Sequence, residues 1–194
     1  MPRVMAIIQG HPDPAGNHLC HALADAYAEG ARQAGHKVLR IEVAKLDFPI
    51  LRTQAEFETG ALPAALAEAR DALLASDHVV FVFPLWLGTM PALLKAFLEQ
   101  LIRPGVAFAY GKSSFSKKLL GGRSARVVVT MGMPALFYRF YFFAHGVRGL
   151  ERSVLGFAGF SPVRESFFGM VGNADRAKSA RWLDKMRRLG AKGA

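Results

Sequence analysis

The chain has 194 residues, 52% of them hydrophobic, a formal charge of +10 and a single cysteine. That size and apolar content suit one folded domain with a sizeable core, and the lone Cys20 excludes an internal disulfide framework or a multi-cysteine metal site. No apolar run reaches the ~18 residues of a membrane-spanning helix, and the run at residues 4–8 is too short for a signal-peptide core. The expectation is a cytoplasmic protein of one domain, residues 1–194, with no integral membrane segment. Charge is uneven: residues 1–102 carry 8 Lys/Arg against 11 Asp/Glu, residues 103–194 carry 17 against 4. No nucleic-acid-binding signature accompanies that excess, so phosphate-bearing cofactors and solvation are favoured over nucleic acid.

A strand–helix alternation runs through the chain. Residues 4–9 read as a first strand, followed by a loop holding His11, Pro12, Pro14 and Gly16, then a helix over about 17–34. In that helix Leu19, Leu23, Ala26, Tyr27 and Gly30 keep near-helical spacing on one face. Residues 37–43 form a second strand, 46–60 an irregular segment and 63–75 a helix. Residues 79–83 are unbroken β-branched and aromatic, as in a strand buried on both faces of a parallel sheet. Pro84 ends it and Pro91 opens a helix to about 101. A long connection, 103–123, contains Phe108 and Tyr110. A fourth strand at 125–131 leads into an irregular segment, 132–159, with an aromatic cluster over 137–143. A last strand at 163–170 and a basic helix at 173–189 close the chain. Five strands alternating with helices imply an α/β, doubly wound parallel sheet, and the two long connections suggest functional segments.

Three loops fall at the carboxyl ends of strands, where open α/β sheets place their ligands. The first holds His11, with Asn17 and His18 at a helix N-terminus suited to an anion; it is neither a P-loop nor a Gly-x-Gly-x-x-Gly turn, and a proline-stiffened turn with an Asn cap explains it equally. The second, Pro84, Leu85, Trp86, Leu87 and Gly88, offers an indole and backbone N–H groups to a flat heteroaromatic ring, or simply packs its Trp on the sheet. The third is Thr130, Met131, Gly132 and Met133, where Gly132 permits close backbone approach. Their convergence outlines one crevice. Tyr138 and His145 follow it, a phenol and an imidazole able to supply a hydrogen bond and a proton near neutrality, or an aromatic in a cluster and a solvent-facing histidine. The scattered histidines give no metal site, no Gly-x-Ser-x-Gly elbow is present, and Cys20 sits among aliphatic neighbours as a packed thiol.

With those residues in place, the chain resembles the flavodoxin-like NAD(P)H:quinone oxidoreductase family, which includes DT-diaphorase and bacterial relatives. The resemblance spans nearly the whole chain and rests on the His-Pro loop at His11, the Phe-Pro-Leu-Trp…Met-Pro-Ala-Leu-Leu-Lys segment over 83–95, and His145-Gly146 after a Thr-x-Gly turn. It implies a five-stranded parallel sheet of order 2-1-3-4-5 with helices on both faces. It also implies a flavin, FAD with FMN the alternative, lying against residues 85–88 with the 130–133 turn on its other side and phosphate held by His11, Asn17 and His18. Tyr138 and His145 fall on the family's catalytic tyrosine and histidine, and Phe108 and Tyr110 on its substrate-pocket aromatics. The implied activity is two-electron, ping-pong hydride transfer from NADPH or NADH to a quinone or similar small acceptor, by a homodimer. The alternative is a flavin-bearing ancillary subunit of a potassium-efflux system. The chain has Gly16-Asn17-His18 where the family commonly has Ser-Phe-Asn, Thr-Met-Gly-Met where it has Thr-Thr-Gly-Gly, and one extra residue before His145.

Overall fold

The computed structural model describes residues 1–110 and 117–194. Five strands, β1 (Val4–Gln9), β2 (Lys37–Glu42), β3 (His78–Pro84), β6 (Ser124–Thr130) and β7 (Val163–Phe168), form one sheet in the order β2-β1-β3-β6-β7. Every pairing in it is parallel. Counted within this sheet alone, that is the expected 2-1-3-4-5. Two further strands of two residues each, β4 (Phe108–Ala109) and β5 (Lys117–Lys118), pair antiparallel inside the long connection after β3; residues 111–116 of that connection lie outside the described residues.

Strand alternation sorts the core into two faces. Met5 and Ile7, Val80 and Val82, and Val128 point to one, where α1 (Leu19–Gln33) and α7 (Arg176–Lys192) cover them with Leu23, Tyr27, Ala31 and Met186. Ala6 and Ile8, Val79, Phe81 and Phe83, and Val127 and Val129 point to the other. There α3 (Ala67–Ala75) and α4 (Ala92–Leu101) bury Leu73, Leu94, Phe97 and Leu101. Pro91 precedes α4 as expected of a residue whose missing N–H costs nothing there.

Three expectations about local structure change. The helix after the first loop starts at Leu19, two residues late, with His18 as its cap residue and no side-chain cap bond. The segment 46–60 is not wholly irregular, because Thr53 accepts from the Glu56 N–H and caps α2 (Gln54–Thr59). The segment 132–159 is largely helical: α5 (Ala135–Phe140) follows Pro134, α6 (His145–Gly149) follows the left-handed Ala144, and a π-helical turn, Leu150–Gly156, continues it. Burial of Tyr138, Val147, Leu150 and Leu155 in the α4 face of the core makes these segments helical. Their aromatic residues obscured the period in the sequence.

Candidate active site

The C-terminal ends of β1, β3 and β6 are adjacent, so the three loops meet. After β3, Trp86 and Thr89 exchange backbone hydrogen bonds of 2.9 and 3.0 Å around Leu87 (φ 48°) and Gly88 (φ 81°). Two positive φ values between a bonded pair are the requirement of a two-residue hairpin turn with the primed geometry. Glycine meets it without strain at 88; Leu87 does so at a cost and stands fully exposed. Leu85 N–H donates to the Thr130 carbonyl at 2.8 Å, tying this turn to the third loop. Trp86 is 51% exposed, so its indole does not pack into the sheet; its ring centroid is 6.5 Å from that of His11.

The first loop is ordered by its own side chains. His11 N–H donates to Gln9 Oε1 (3.1 Å), Asp13 N–H to His11 Nδ1 (3.1 Å) and Ala15 N–H to Asp13 Oδ1 (2.9 Å). Asp13 Oδ2 lies 2.7 Å from His18 Nε2, and that bond holds the Asp13 carboxyl below its usual range. His11 stacks on His18 at 4.0 Å, and His21, absent from the sequence expectation, joins them at 5.3 and 5.8 Å. Burial, then the neighbouring imidazoles, pull His11 and His21 below the usual imidazole range. His21 was legible as the i+3 partner of His18 once the helix is set to begin at Leu19.

The third loop divides its residues. Thr130 is buried, its hydroxyl 3.1 Å from the Cys20 sulfur, and Met131 is buried in the core, so neither side chain faces the crevice. Gly132 is exposed, and a Cβ there would meet nothing within 4 Å, leaving Gly132 and Met133 as the surface of that loop. Cys20 is packed as expected, its thiol pushed up to about 12 by burial.

Tyr138, on α5, is fully buried, and its hydroxyl donates to the Gly88 carbonyl at 2.9 Å. Burial raises its phenol above the ordinary value, partly offset by the N–H groups of Val147 and Gly146. The hydroxyl of the tyrosine expected to be catalytic is thus engaged by the β3 turn. His145 is exposed, hydrogen-bonds the Phe142 carbonyl through Nδ1, and lines an apolar groove of about 690 Å³ with Trp86, Leu87, Met90 and Leu150. Lys95, Ser153 and Val154 continue that groove into a second one of about 650 Å³, lined by Phe108 and Tyr110. Phe108 is mostly buried between Phe57, Tyr110 and Phe157 rather than spread on the surface; Tyr110 is exposed. Among the described residues no cluster of histidine, cysteine or carboxylate side chains is arranged to hold a metal, and no helix is long and apolar enough to cross a membrane.

A parallel sheet of this order, with its crevice at the β1, β3 and β6 ends, defines the flavodoxin class of α/β proteins. A family model described as flavodoxin-like fold matches residues 5–189, and the chain belongs to that family. It is 33% identical over 69 residues to an FMN-dependent NADH:quinone oxidoreductase of Ruegeria pomeroyi, covering 36% of this chain and 34% of that protein. It is 27% identical over 175 residues to a ribosyldihydronicotinamide dehydrogenase-like protein of Penicillium crustosum, covering 77% of this chain and 63% of that one. The match therefore spans from a third to under two thirds of those relatives' own length. Among solved structures, an NAD(P)H:quinone oxidoreductase from Methanothermobacter marburgensis shares the fold with a TM-score of 0.82, at 21% identity, over 99% of this chain and 97% of that one.

Proposed function

We propose that the chain is an FMN-dependent NAD(P)H oxidoreductase that reduces quinones or similar flat acceptors. FMN replaces FAD in this reading because FMN is the flavin in the relatives' names. The observation that carries the proposal is the β3 turn: an exposed indole on a primed hairpin, tied to β6 by Leu85 and to α5 by Tyr138, faces a histidine loop at the sheet's carboxyl edge. The residues fit a flavin phosphate and ring. Gln9 Nε2 and His21 Nδ1 are buried beside the first loop without a partner, and the N–H groups of Asn17, His18, Leu19 and Cys20 donate to no acceptor among the described residues.

Bound there, a flavin would supply two-electron hydride chemistry between NAD(P)H and the acceptor, in ping-pong order. The protein positions and shields. His11, Asn17 and His18 with the α1 N-terminus hold the phosphate. Backbone groups of residues 85–88 on one side, and of Gly132 and Met133 on the other, hold the ring. Tyr138 acts through Gly88 as a positioning residue, holding the turn whose Leu87 and Gly88 N–H groups donate to no acceptor among the described residues and would be left for the charge that develops on reduction. His145, at the mouth of the apolar groove, is placed to hand a proton to an acceptor bound there. Donor and acceptor enter over Trp86, along the groove that reaches Phe108 and Tyr110.

We place the chain in a homodimer. Leu136, Phe137, Phe140, Tyr141 and Phe143 form an exposed apolar surface next to the crevice, of the kind that marks an interaction site. Purified protein is expected to be yellow, to release about one FMN per chain on denaturation, and to turn over quinone with NADH or NADPH. Colourless protein that takes up no added flavin sinks the reading. Sedimentation of a single-chain species alone at micromolar concentration removes the dimer.

A further inference from the structure

The anion end of the crevice is built without lysine or arginine. Residues 10–21 contain neither, and the first turn of α1 carries no acidic residue. In their place stand three imidazoles within 6 Å of one another. Their roles differ. His11 Nδ1 accepts from the Asp13 N–H, so this ring is held as the neutral tautomer with Nε2–H free to donate. His18 is paired with Asp13. His21 is 5% exposed, and its Nδ1 has no partner. It is a base in reserve.

We propose that His11, His18 and His21 form a three-imidazole clasp for a terminal phosphate monoester, in which His21 takes up a proton as the dianion binds. The consequence is selection of FMN over riboflavin and over FAD, strongest on the acid side of neutrality. This rests on the reading of the crevice as a flavin site. The physical logic is linkage. In the free protein, burial first and then the neighbouring His18 disfavour the charged forms of His11 and His21. A dianion among the rings favours the charged form of a buried imidazole whose free nitrogen can accept a proton, and His21 Nδ1 is such a nitrogen. The charged groups facing His21 do not replace it: on α1 Asp25 and on β2 Arg40 and Glu42 pair with one another, Glu42 also with Lys45, and Asp13 in the loop is held by His18. The β3 turn faces the cluster with the uncharged ring of Trp86. A diphosphate diester such as FAD carries one charge per phosphate and lacks the second ionisation of a monoester, near pH 6, so it gains less.

The test uses flavin-free protein titrated with FMN, FAD and riboflavin at pH 6.5 and 8.5 by fluorescence quenching, and with FMN by calorimetry in two buffers of different ionisation enthalpy. The expected result is FMN affinity about tenfold tighter at pH 6.5 than at pH 8.5, which requires the imidazole to titrate about one unit above pH 6.5 in the complex and below pH 6.5 in the free protein. Riboflavin affinity should be flat between the two, FAD affinity should change less than that of FMN, and about one proton should be taken up with FMN. His21→Asn should remove the FMN pH dependence. Riboflavin and FMN bound equally at both pH values, or wild-type binding of FMN with no proton uptake, overturns the clasp while leaving the flavin reading intact. Failure of every flavin to bind overturns both. The calorimetric arm decides the question even if the His21 variant does not fold.

Discussion

The contact between α6 and the β3 turn is the tightest in the crevice and gives the sharpest prediction. A Cβ on Gly146 would lie 2.2 Å from the Gly88 oxygen, 2.9 Å from Thr89 Cα and 3.0 Å from the Gly88 carbonyl carbon. All three are backbone atoms and cannot swing aside, so Gly146→Ala must push helix and turn apart by about 1 Å to reach ordinary contact. That displacement also lengthens the 2.9 Å bond from Tyr138 to the same carbonyl. Overpacking costs about 1–3 kcal/mol and the lost bond about 1 kcal/mol, against about 1 kcal/mol gained by alanine over glycine in a helix. The net is about 2 kcal/mol, a fall in Tm of about 4–8 °C for a domain of this size. Gly149, one turn further on, is an internal control: its backbone is helical (φ −60°, ψ −47°) and its Cβ would meet nothing within 4 Å. Gly149→Ala should raise stability by about 0.5–1 kcal/mol. Thermal melts and flavin titrations on both variants decide the matter. Gly146→Ala should lose about tenfold in flavin affinity, or 1.4 kcal/mol, and Gly149→Ala none. Wild-type melting and wild-type affinity in Gly146→Ala would refute the view that α6 clamps the turn.

Tyr138→Phe leaves the Gly88 carbonyl without its buried donor, so stability should fall by about 1–3 kcal/mol, read by urea unfolding; an unchanged midpoint makes Tyr138 a packing residue alone. His145→Gln, at an exposed position, should leave the melt unchanged and slow flavin reduction in stopped flow by on the order of 10²-fold, and wild-type rates would return it to the solvent-facing histidines. Gly88→Trp should abolish flavin binding in a folded protein, because the position requires φ 81° and its Cβ site is open to the crevice; full occupancy in that variant would move the flavin elsewhere. His78 is 2% exposed, bonded to Ser124 through Nδ1 with Nε2 unpaired, and burial followed by Arg126, Arg3 and Arg164 lowers it to about 4. The unfolded chain therefore binds a proton near pH 6.5 that the native state refuses: stability is full above pH 6.5 and declines by up to about 3 kcal/mol as pH falls to 4. His78→Gln should flatten that limb of a pH series of urea melts, and an unaltered slope would assign the acid lability to other groups.

How far the sequence was legible follows from which signals are local. The strands stood out as apolar runs between turn residues, and the crevice followed from where such strands end. In the third loop, residue type does not say which side chains turn inward; strand parity does. Val127 and Val129 face the α4 side of the sheet, so Met131 continues inward behind them, while Thr130 shares the side of Val128 and meets Cys20 on α1. The segment after it was misread as irregular. Its helical period is set by a few buried residues, Tyr138, Val147, Leu150 and Leu155, diluted by exposed aromatics such as Phe140 and Phe143, and surface aromatics carry no period. For Tyr138, residue type alone does not say whether a hydroxyl serves a ligand or a backbone carbonyl, and the structure gives it the Gly88 carbonyl.

The charge asymmetry resolves in a similar way. A surplus of thirteen positive charges after residue 102 invites the thought of a phosphate site, yet several of those cations have partners elsewhere. Arg126 lies in the interior and bonds Ser166 and the Ala194 carbonyl. On α7, Lys178 covers the ring of Trp182, Lys185 that of Phe168, and Arg187 spans Glu29 and Asp184. They lie along the α1–α7 side of the sheet, solvating a helix whose long aliphatic stems cover aromatic surface. In the proposed clasp the phosphate draws instead on helix dipole, free N–H groups and imidazoles. An anion site built from strongly basic side chains weakens with salt and is indifferent to pH near neutrality. One built from imidazoles reverses that order: pH governs it and salt acts second.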